Sequence, residues 1–293
     1  MDPTHILDLF RTASGAREAG ICPILPTQSG KAPKASSPLC GMKSVLVGIF
    51  PYYCGPEEGE ICLYARGRDY HSVITPRLAA AAEALSEAYP DARFLPGCDA
   101  SPINEVRAAG LAGLGFFGDN GLFISRRYGS FVFIGTLACD LEFSLPLCEA
   151  EGCSHCGACR SACPTGVLSG GDKRAACLSA ITQKKGELTA DEVALMRACG
   201  TLWGCDACQL ACPHNRRAEI DPLPEFAEDR VTHLPRSLRT ASAAEWDAFL
   251  EGRAFAWRGR EVLQRNLEYV CFTKAAENDI LICKSEIKGD KDK

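Results

Sequence analysis

Cys153, Cys156, Cys159 and Cys163 form a C-x2-C-x2-C-x3-C run with Pro164 directly after it. Such spacing lets one loop and a turn of helix offer the staggered thiolates that an iron–sulfur cluster needs. A shorter ladder follows downstream: Cys205, Cys208 and Cys212, then Pro213. Two ladders ending in Cys-Pro predict two 4Fe-4S clusters and electrons passed one at a time. In ferredoxin-type runs the last cysteine of a ladder serves the other cluster. The first cluster is therefore expected on Cys153, Cys156, Cys159 and Cys212. The second takes Cys163, Cys205 and Cys208 and needs one more thiolate, for which spacing leaves Cys177 and Cys199.

Zinc is the duller alternative. It favours two separate C-x2-C knuckles, whereas four consecutive cysteines ending in Cys-Pro fit a cluster better. Cys22, Cys40, Cys62, Cys271 and Cys283 stand outside the ladders and read as small, mostly buried apolar side chains. His155 and His214 lie inside the ladders without a partner at metal-ligand spacing. They are expected to hydrogen-bond cluster sulfurs or to shape the loop.

Two further segments carry polar chemistry. Asp99 follows an expected strand and precedes an expected helix, in Asp99-Ala-Ser-Pro-Ile-Asn-Glu105. A carboxylate there can face a cleft, although a helix cap or turn aspartate is the plainer reading. Tyr64-Ala-Arg-Gly-Arg-Asp-Tyr70-His71 suits a large polar cofactor, and its plainer reading is a solvated loop with a salt bridge. Gly113, Gly115 and Gly118 match G-x-G-x-x-G, with Asn120 just beyond. The dinucleotide fingerprint should follow a strand and open a helix. Here it follows a helix and leads into a strand, so a nicotinamide site is rejected. These glycines instead allow a tight turn or the close approach of a bulky ligand.

The elements that must position these residues can be read from periodicity. Residues 5–18 are expected as a helix, residues 20–42 as irregular, and Ser44–Phe50 (SVLVGIF) as a strand. Residues 70–88 have helical spacing and stop at Pro90. Ala92–Leu95 is expected as a strand, 103–112 as a helix, and Leu122–Ser125 and Ser130–Leu137 as strands. Residues 150–215 carry little strand signal and are expected as short helices around metal. Asp221–Pro235 resembles a linker. Ser242–Glu251 and Arg258–Phe272 are expected as closing helices, with a capping box at Ser242 and Glu245. The Lys/Asp-rich end, residues 284–293, reads as a solvated tail.

Of 293 residues, 46% are hydrophobic and 24% charged, as in an ordinary globular protein of two domains. A net charge of −5 excludes the basic excess of a nonspecific nucleic-acid binder. The first residues lack the apolar core of a secretory signal, and no apolar run reaches bilayer length. Eighteen cysteines in such a chain predict metal chemistry in the cytoplasm rather than disulfides.

Taken together these residues resemble the epoxyqueuosine reductase family, the cobalamin-dependent enzymes of queuosine biosynthesis and tRNA processing. The resemblance runs through Tyr64–His71 (YARGRDYH), Asp99–Asn120 (the AGLGFFGDN portion above all) and Tyr128–Leu141 (YGSFVFIGTLACDL). It continues through the first ladder, Cys177–Thr182 (CLSAIT), Gly204–Asn215 (GCDACQLACPHN) and the closing Arg265-Asn-Leu267. Residues 107–109 depart from the family's usual aromatic-containing helix.

The resemblance implies an α+β chain. Residues 1–145 would be a cobalamin-binding catalytic α/β domain related to reductive dehalogenases. Residues 146–220 would be a ferredoxin-like two-cluster domain, residues 221–275 a linker and closing helices, and residues 276–293 a tail. It assigns the open ligand position to Cys177. It places Asp99 where the family keeps its proposed proton donor, a role that calls for a raised pKa in an apolar cleft. Tyr70 and His71, with Gly113, Gly115, Gly118 and Asn120, become cofactor-binding candidates.

The implied reaction is a two-electron reductive deoxygenation of epoxyqueuosine to queuosine in tRNA. Clusters feed a cobalt centre, a carbon–oxygen bond breaks and an alkene forms. A low-potential donor such as ferredoxin or flavodoxin would supply the electrons. The family continues past its closing helices into helical repeats that help grip tRNA, and this chain is expected as a short form without them. The competing functions are a cobalamin-dependent reductase of another substrate and a ferredoxin-type electron-transfer protein without cobalamin.

Overall fold

A computed structural model of the chain describes residues 2–24, 37–99, 101–143, 152–170 and 176–271. The expected tail and Cys283 lie outside these residues.

The framework is a four-stranded sheet. Its strands are β1 (Glu18–Pro23), β2 (Ser44–Pro51), β3 (Phe94–Gly97) and β6 (Val132–Cys139), in the order β1-β2-β6-β3. Every neighbouring pair is antiparallel. Strands β2 and β3 both run opposite to β6, so they are parallel to each other with β6 inserted between them. With α2 (Tyr70–Ala88) as the crossover, this is a split βαβ unit. The alternation of helices and strands thus yields an α+β fold, not a parallel-stranded α/β sheet. The insertion of β6 is the reason, because it separates the two strands that a simple crossover would pair.

Strand β2 is buried along its whole length. Leu46 and Phe50 point to one face, and Val45, Val47 and Ile49 to the other. On the first face lie α1 (Thr4–Ser14), through Ile6 and Phe10, and α2, through Ile74, Leu78 and Leu85. On the second lies α3 (Glu105–Leu111), through Ala108 and Ala109. A separate hairpin, β4 (Gly115–Phe117) with β5 (Phe123–Ser125), extends beyond α3.

Two strands depart from expectation. Strand β1 lies where irregular chain is expected. Its two-faced signal is short and ends at Pro23, which the edge of a sheet tolerates. Strand β4 is masked in the sequence by its glycine context. A Cβ at Gly115 would lie 2.2 Å from the Ile124 carbonyl oxygen, so the hairpin closes only on glycine.

The cysteine region contains only short helices: α4 (Ala158–Ser161), α5 (Leu178–Thr182), α6 (Ala190–Cys199) and α7 (Ala207–Leu210). The stretch expected as a linker is not free. Its short helix α8 (Pro224–Ala227) and Leu223 place Leu223 and Phe226 in the main core. Proline there fixes the backbone while the apolar residues between the prolines anchor it. The closing helices α9 (Ala243–Leu250) and α10 (Arg260–Cys271) build a second core on Trp203, Trp246 and Phe255. The capping box at Ser242 and Glu245 is formed. Segment 61–65 enters the same core, and Gly204 packs against it. A Cβ at Gly204 would fall 2.1 Å from the Cys62 sulfur, and its φ of 73° is itself glycine-favouring.

Cys22 and Cys62 are buried as expected, whereas Cys40 is exposed. It sits in a turn after Pro38, away from any packed face. Among the described residues no helix is long and apolar enough to cross a membrane.

Candidate functional site

The two ladders fold onto each other through contact of α4 with α7. Cys153, Cys156, Cys159 and Cys212 line one small, partly open cavity. Cys208 lies within electrostatic reach of Cys205, Cys177, Cys163 and Cys159. Cys212 thus sits with the first ladder's thiols, and Cys163 comes within reach of the second's. Cys177 and Cys199 both influence Cys205. Cys177 also acts on Cys208, and Cys199 is exposed.

The donor set fits iron–sulfur clusters. Burial first, then the neighbouring acid and thiolates, push Cys205 up to about 11. Burial followed by four nearby thiolates pushes Cys208 up to about 12. Thiols this crowded hold their protons until a cationic centre offsets the charge. Asn120 lines the first cavity, and its Nδ2 is buried with no partner among the described residues. That amide is a donor available to a cluster sulfide. Asp119 closes the same rim, accepting from His155 Nδ1 at 2.7 Å and from Arg160 Nη2 at 3.1 Å. His155 thus shapes the loop, and His214 packs edge-on against Phe116. Asp119, Cys153 and His155 offer ligand atoms within 4.8 Å of one another, but the thiol belongs to the ladder.

A second constellation stands at the start of α2. Asp69 caps the helix: its Oδ1 accepts from the His71 backbone N–H at 3.0 Å and from Nδ1 of the ring at 2.9 Å. Across from it, Asp99 follows β3 with a φ of 57°, rare for a residue with a side chain. Tyr70 donates its hydroxyl to Asp99 Oδ2 at 2.9 Å, and His71 Nε2 lies 3.3 Å from the same oxygen. Burial, then the Asp99 charge, pushes the Tyr70 hydroxyl well above the ordinary tyrosine range. It therefore remains a donor. The Asp99 side chain is 64% exposed, so the described residues do not enclose it in an apolar cleft.

Behind Asp99 stands Glu105. It accepts from the Asp99 backbone N–H, and burial pushes its carboxyl up to about 8. Its Oε1 is buried without a partner among the described residues.

Aromatic rings back this polar edge. His71 stacks on Tyr70 at 4.0 Å and Tyr70 on Phe133 at 4.4 Å. Phe133 in turn meets Tyr52 at 4.7 Å. A flat, partly buried stack with polar tips fits a large planar macrocycle such as a corrin.

The structure brings Tyr70, His71 and Asp99 together, and it brings Gly118 and Asn120 to the first cysteine cavity. Gly113 sits in the turn after α3, and Gly115 serves the hairpin. Sequence reading missed Asp69, Glu105 and Phe133. The first two had a faint signal, a capping aspartate before a helix and the D-x-x-P-x-x-E spacing. Phe133 gave none, since its role depends on a contact far away in the chain.

Fold and cysteines define an iron–sulfur protein in which a two-cluster region abuts an α+β domain with a carboxylate–aromatic edge. Residues 152–215 match the 4Fe-4S double cluster binding domain, and residues 34–100 match the family described as epoxyqueuosine reductase QueG, DUF1730. The epoxyqueuosine reductase of Listeria monocytogenes is 33% identical over 240 residues, covering 78% of this chain and 62% of that protein. That of Escherichia coli is 32% identical over 242 residues, covering 80% and 63%. A crystal structure of epoxyqueuosine reductase with an epoxyqueuosine-modified tRNA-Tyr stem loop shares the fold. It superposes with a TM-score of 0.78 at 23% identity, over 91% of this chain and 80% of that one. The chain is a relative of the epoxyqueuosine reductases and spans somewhat under two thirds of the length of these curated relatives.

Proposed function

We propose that this chain is an epoxyqueuosine-reductase-like oxidoreductase of the cytoplasm, converting epoxyqueuosine in tRNA to queuosine with cobalamin and two 4Fe-4S clusters. The observation that carries this reading is the pairing of two crossed cysteine groups with the Tyr70–His71–Asp99 cluster in one fold. Residues 1–145 form the catalytic domain, residues 146–220 the two-cluster domain, and residues 221–275 the segment that packs them together.

Cys153, Cys156, Cys159 and Cys212 hold the first cluster; Cys163, Cys177, Cys205 and Cys208 hold the second. A low-potential donor of the ferredoxin or flavodoxin class feeds them. Cobalamin, when bound, supplies the two-electron reduction that opens the epoxide. The protein's own residues bind and orient the reactants and handle protons. The His71–Tyr70–Phe133 stack would help hold the corrin, and Asn120 and Gly118 would line the first cluster's surroundings. Asp99 protonates the departing oxygen as a general acid. Tyr70 holds the Asp99 carboxyl in one orientation through the bond to Oδ2.

Anaerobic reconstitution followed by absorption spectroscopy tests the cofactors: corrin bands should appear beside the broad cluster absorption. Protein that takes up iron and sulfide but never cobalamin would be an electron-transfer module instead. The fully loaded protein should convert epoxyqueuosine-containing tRNA under low-potential reduction. Failure to do so transfers the reading to another substrate. Asp99→Ala should abolish turnover with both cofactors still bound, and full activity in that variant would remove Asp99 from the mechanism.

A further inference from the structure

Reduction of an epoxide to an alkene consumes two electrons and two protons and releases one water. The clusters and their donor supply the electrons. Asp99 carries one proton at most, so the second must reach the same place by another route.

We infer that Asp69 and His71 form a relay that returns a proton to Asp99 within the catalytic cycle, a role that rests on Asp99 being the acid. The geometry sets the direction of each bond. Asp69 Oδ1 accepts from the His71 backbone N–H and takes the ring at Nδ1, so the ionised carboxylate selects the Nδ1–H form. His71 Nε2 then has a lone pair facing Asp99 Oδ2 at 3.3 Å. A protonated Asp99 donates to that lone pair. Once Asp99 has lost its proton, the ring takes one from solvent, to which His71 is 44% exposed, and the imidazolium donates back through the same contact.

The steps balance. The Asp99 O–H bond breaks as an O–H bond forms on the oxygen leaving carbon. The His71 Nε2–H bond then breaks as the Asp99 O–H bond re-forms. That second proton completes the water, and a further proton, taken from solvent and passed through the ring in the same way, restores protonated Asp99 and leaves the ring neutral for the next cycle. Asp69 stabilises the imidazolium as the buried aspartate of a catalytic triad does. Tyr70 is fixed as a donor to the same Asp99 oxygen, and it does not compete to accept the proton. The other titratable groups around Asp99, Cys98 and Glu105, have burial as the first cause of their raised values and remain protonated near neutrality. Neither supplies a competing negative charge. Asp69 and His71 are thus positioning residues that act through Asp99.

The test reads the ring itself. The chain has five histidines, so 15N-histidine labelling with oxidised clusters gives few signals, and His71→Gln assigns one of them. His71 should be in the Nδ1–H form in the unaltered protein. Asp69→Ser keeps a capping oxygen for the helix but is too short to reach the ring. It should shift the ring toward Nε2–H. Asp69→Asn keeps the accepting oxygen and should retain the Nδ1–H form while removing the charge.

With both cofactors loaded, Asp69→Ser and His71→Gln should each lower kcat by about 10²-fold, with Asp69→Asn in between. Cluster and corrin absorption should be unchanged. Should Asp69→Ser fold poorly, Asp69→Asn and His71→Gln carry the test. An Nε2–H ring in the unaltered protein overturns the relay. So does wild-type turnover in His71→Gln, or a loss of turnover in Asp69→Ser with the tautomer unmoved. Full activity in Asp99→Ala would instead overturn the acid on which the relay rests, whatever the tautomer shows.

Discussion

The sheet region and the cysteine region are held together by different means. Around β2 and β6, apolar side chains from α1, α2 and α3 fill both faces of the sheet, and no metal is needed to justify the packing. Between residues 152 and 217 the described α-helices are short, and each carries a thiol within it or at its cap. The hydrophobic cluster on Leu178, Ile181, Leu188 and Met196 is small. A frame that positions an acid to within hydrogen-bond distance has to be rigid before its ligand arrives. A cluster region can instead let the inorganic core complete its order.

Removal of iron should break this contrast most visibly. Chelation under reducing conditions leaves Cys205 and Cys208 as half-buried, crowded thiols with nothing to bridge them. Amide hydrogen exchange should then rise sharply across residues 152–217 while the β2 and β6 amides stay protected. Equal protection of the cysteine region with and without iron would show that its packing suffices.

That contrast also explains what could be read in advance. Cysteine spacing survives in sequence because ligand geometry is local, so a two-cluster region was legible there. The run SVLVGIF and the helix of residues 70–88 were legible because burial on a sheet or helix repeats at a fixed period. Strand β1 was not, since its pairing with β2 is decided by a partner beyond Pro23. Asp99 was legible as a residue but not in its company. Asp69 reaches it through His71 and Phe133 through Tyr70 only once α2 and β6 are packed on one sheet, with Glu105 of α3 behind it. The prolines of Asp221–Pro235 read as linker because their stiffness is a local property, whereas the burial of Leu223 and Phe226 is not.

The seam between the two regions offers a smaller test. Asn215, at the end of the second ladder, is buried. It accepts from the Ser130 backbone N–H at 2.8 Å and donates to Ser130 Oγ at 2.8 Å and to the Gln209 carbonyl at 2.7 Å. Asn215→Ala would strand these groups without water and should cost about 3 kcal/mol in denaturant unfolding of the reconstituted protein. The two regions should also uncouple, with the cysteine region opening at lower denaturant than the sheet. A single transition at the unaltered midpoint would mean that the apolar contacts of Leu223 and Phe226 carry the seam alone.

The smallest effect should come from Glu105, and it sharpens the contrast from the other side by making the sheet region respond to pH rather than to iron. Its carboxyl has a value of about 8 in the folded chain against 4.5 for an unperturbed glutamate, with burial as the first cause and the Asp99 charge adding to it. Between those two values the folded state holds a proton that the unfolded chain has released. Its contribution is therefore fully present below pH 4.5 and is lost as pH rises through about 8. Glu105→Gln mimics the protonated form at every pH and keeps an oxygen that can accept from the Asp99 N–H. At pH 8 it should gain stability on the order of 1–2 kcal/mol, reduced from the full linkage value by solvent relaxation around a side chain that is not wholly enclosed. At pH 4 the variant and the unaltered protein should melt together. Parallel pH–stability curves for the two would mean that Glu105 ionises freely, and this half-buried carboxyl behind Asp99 would then set no pH response in the sheet region.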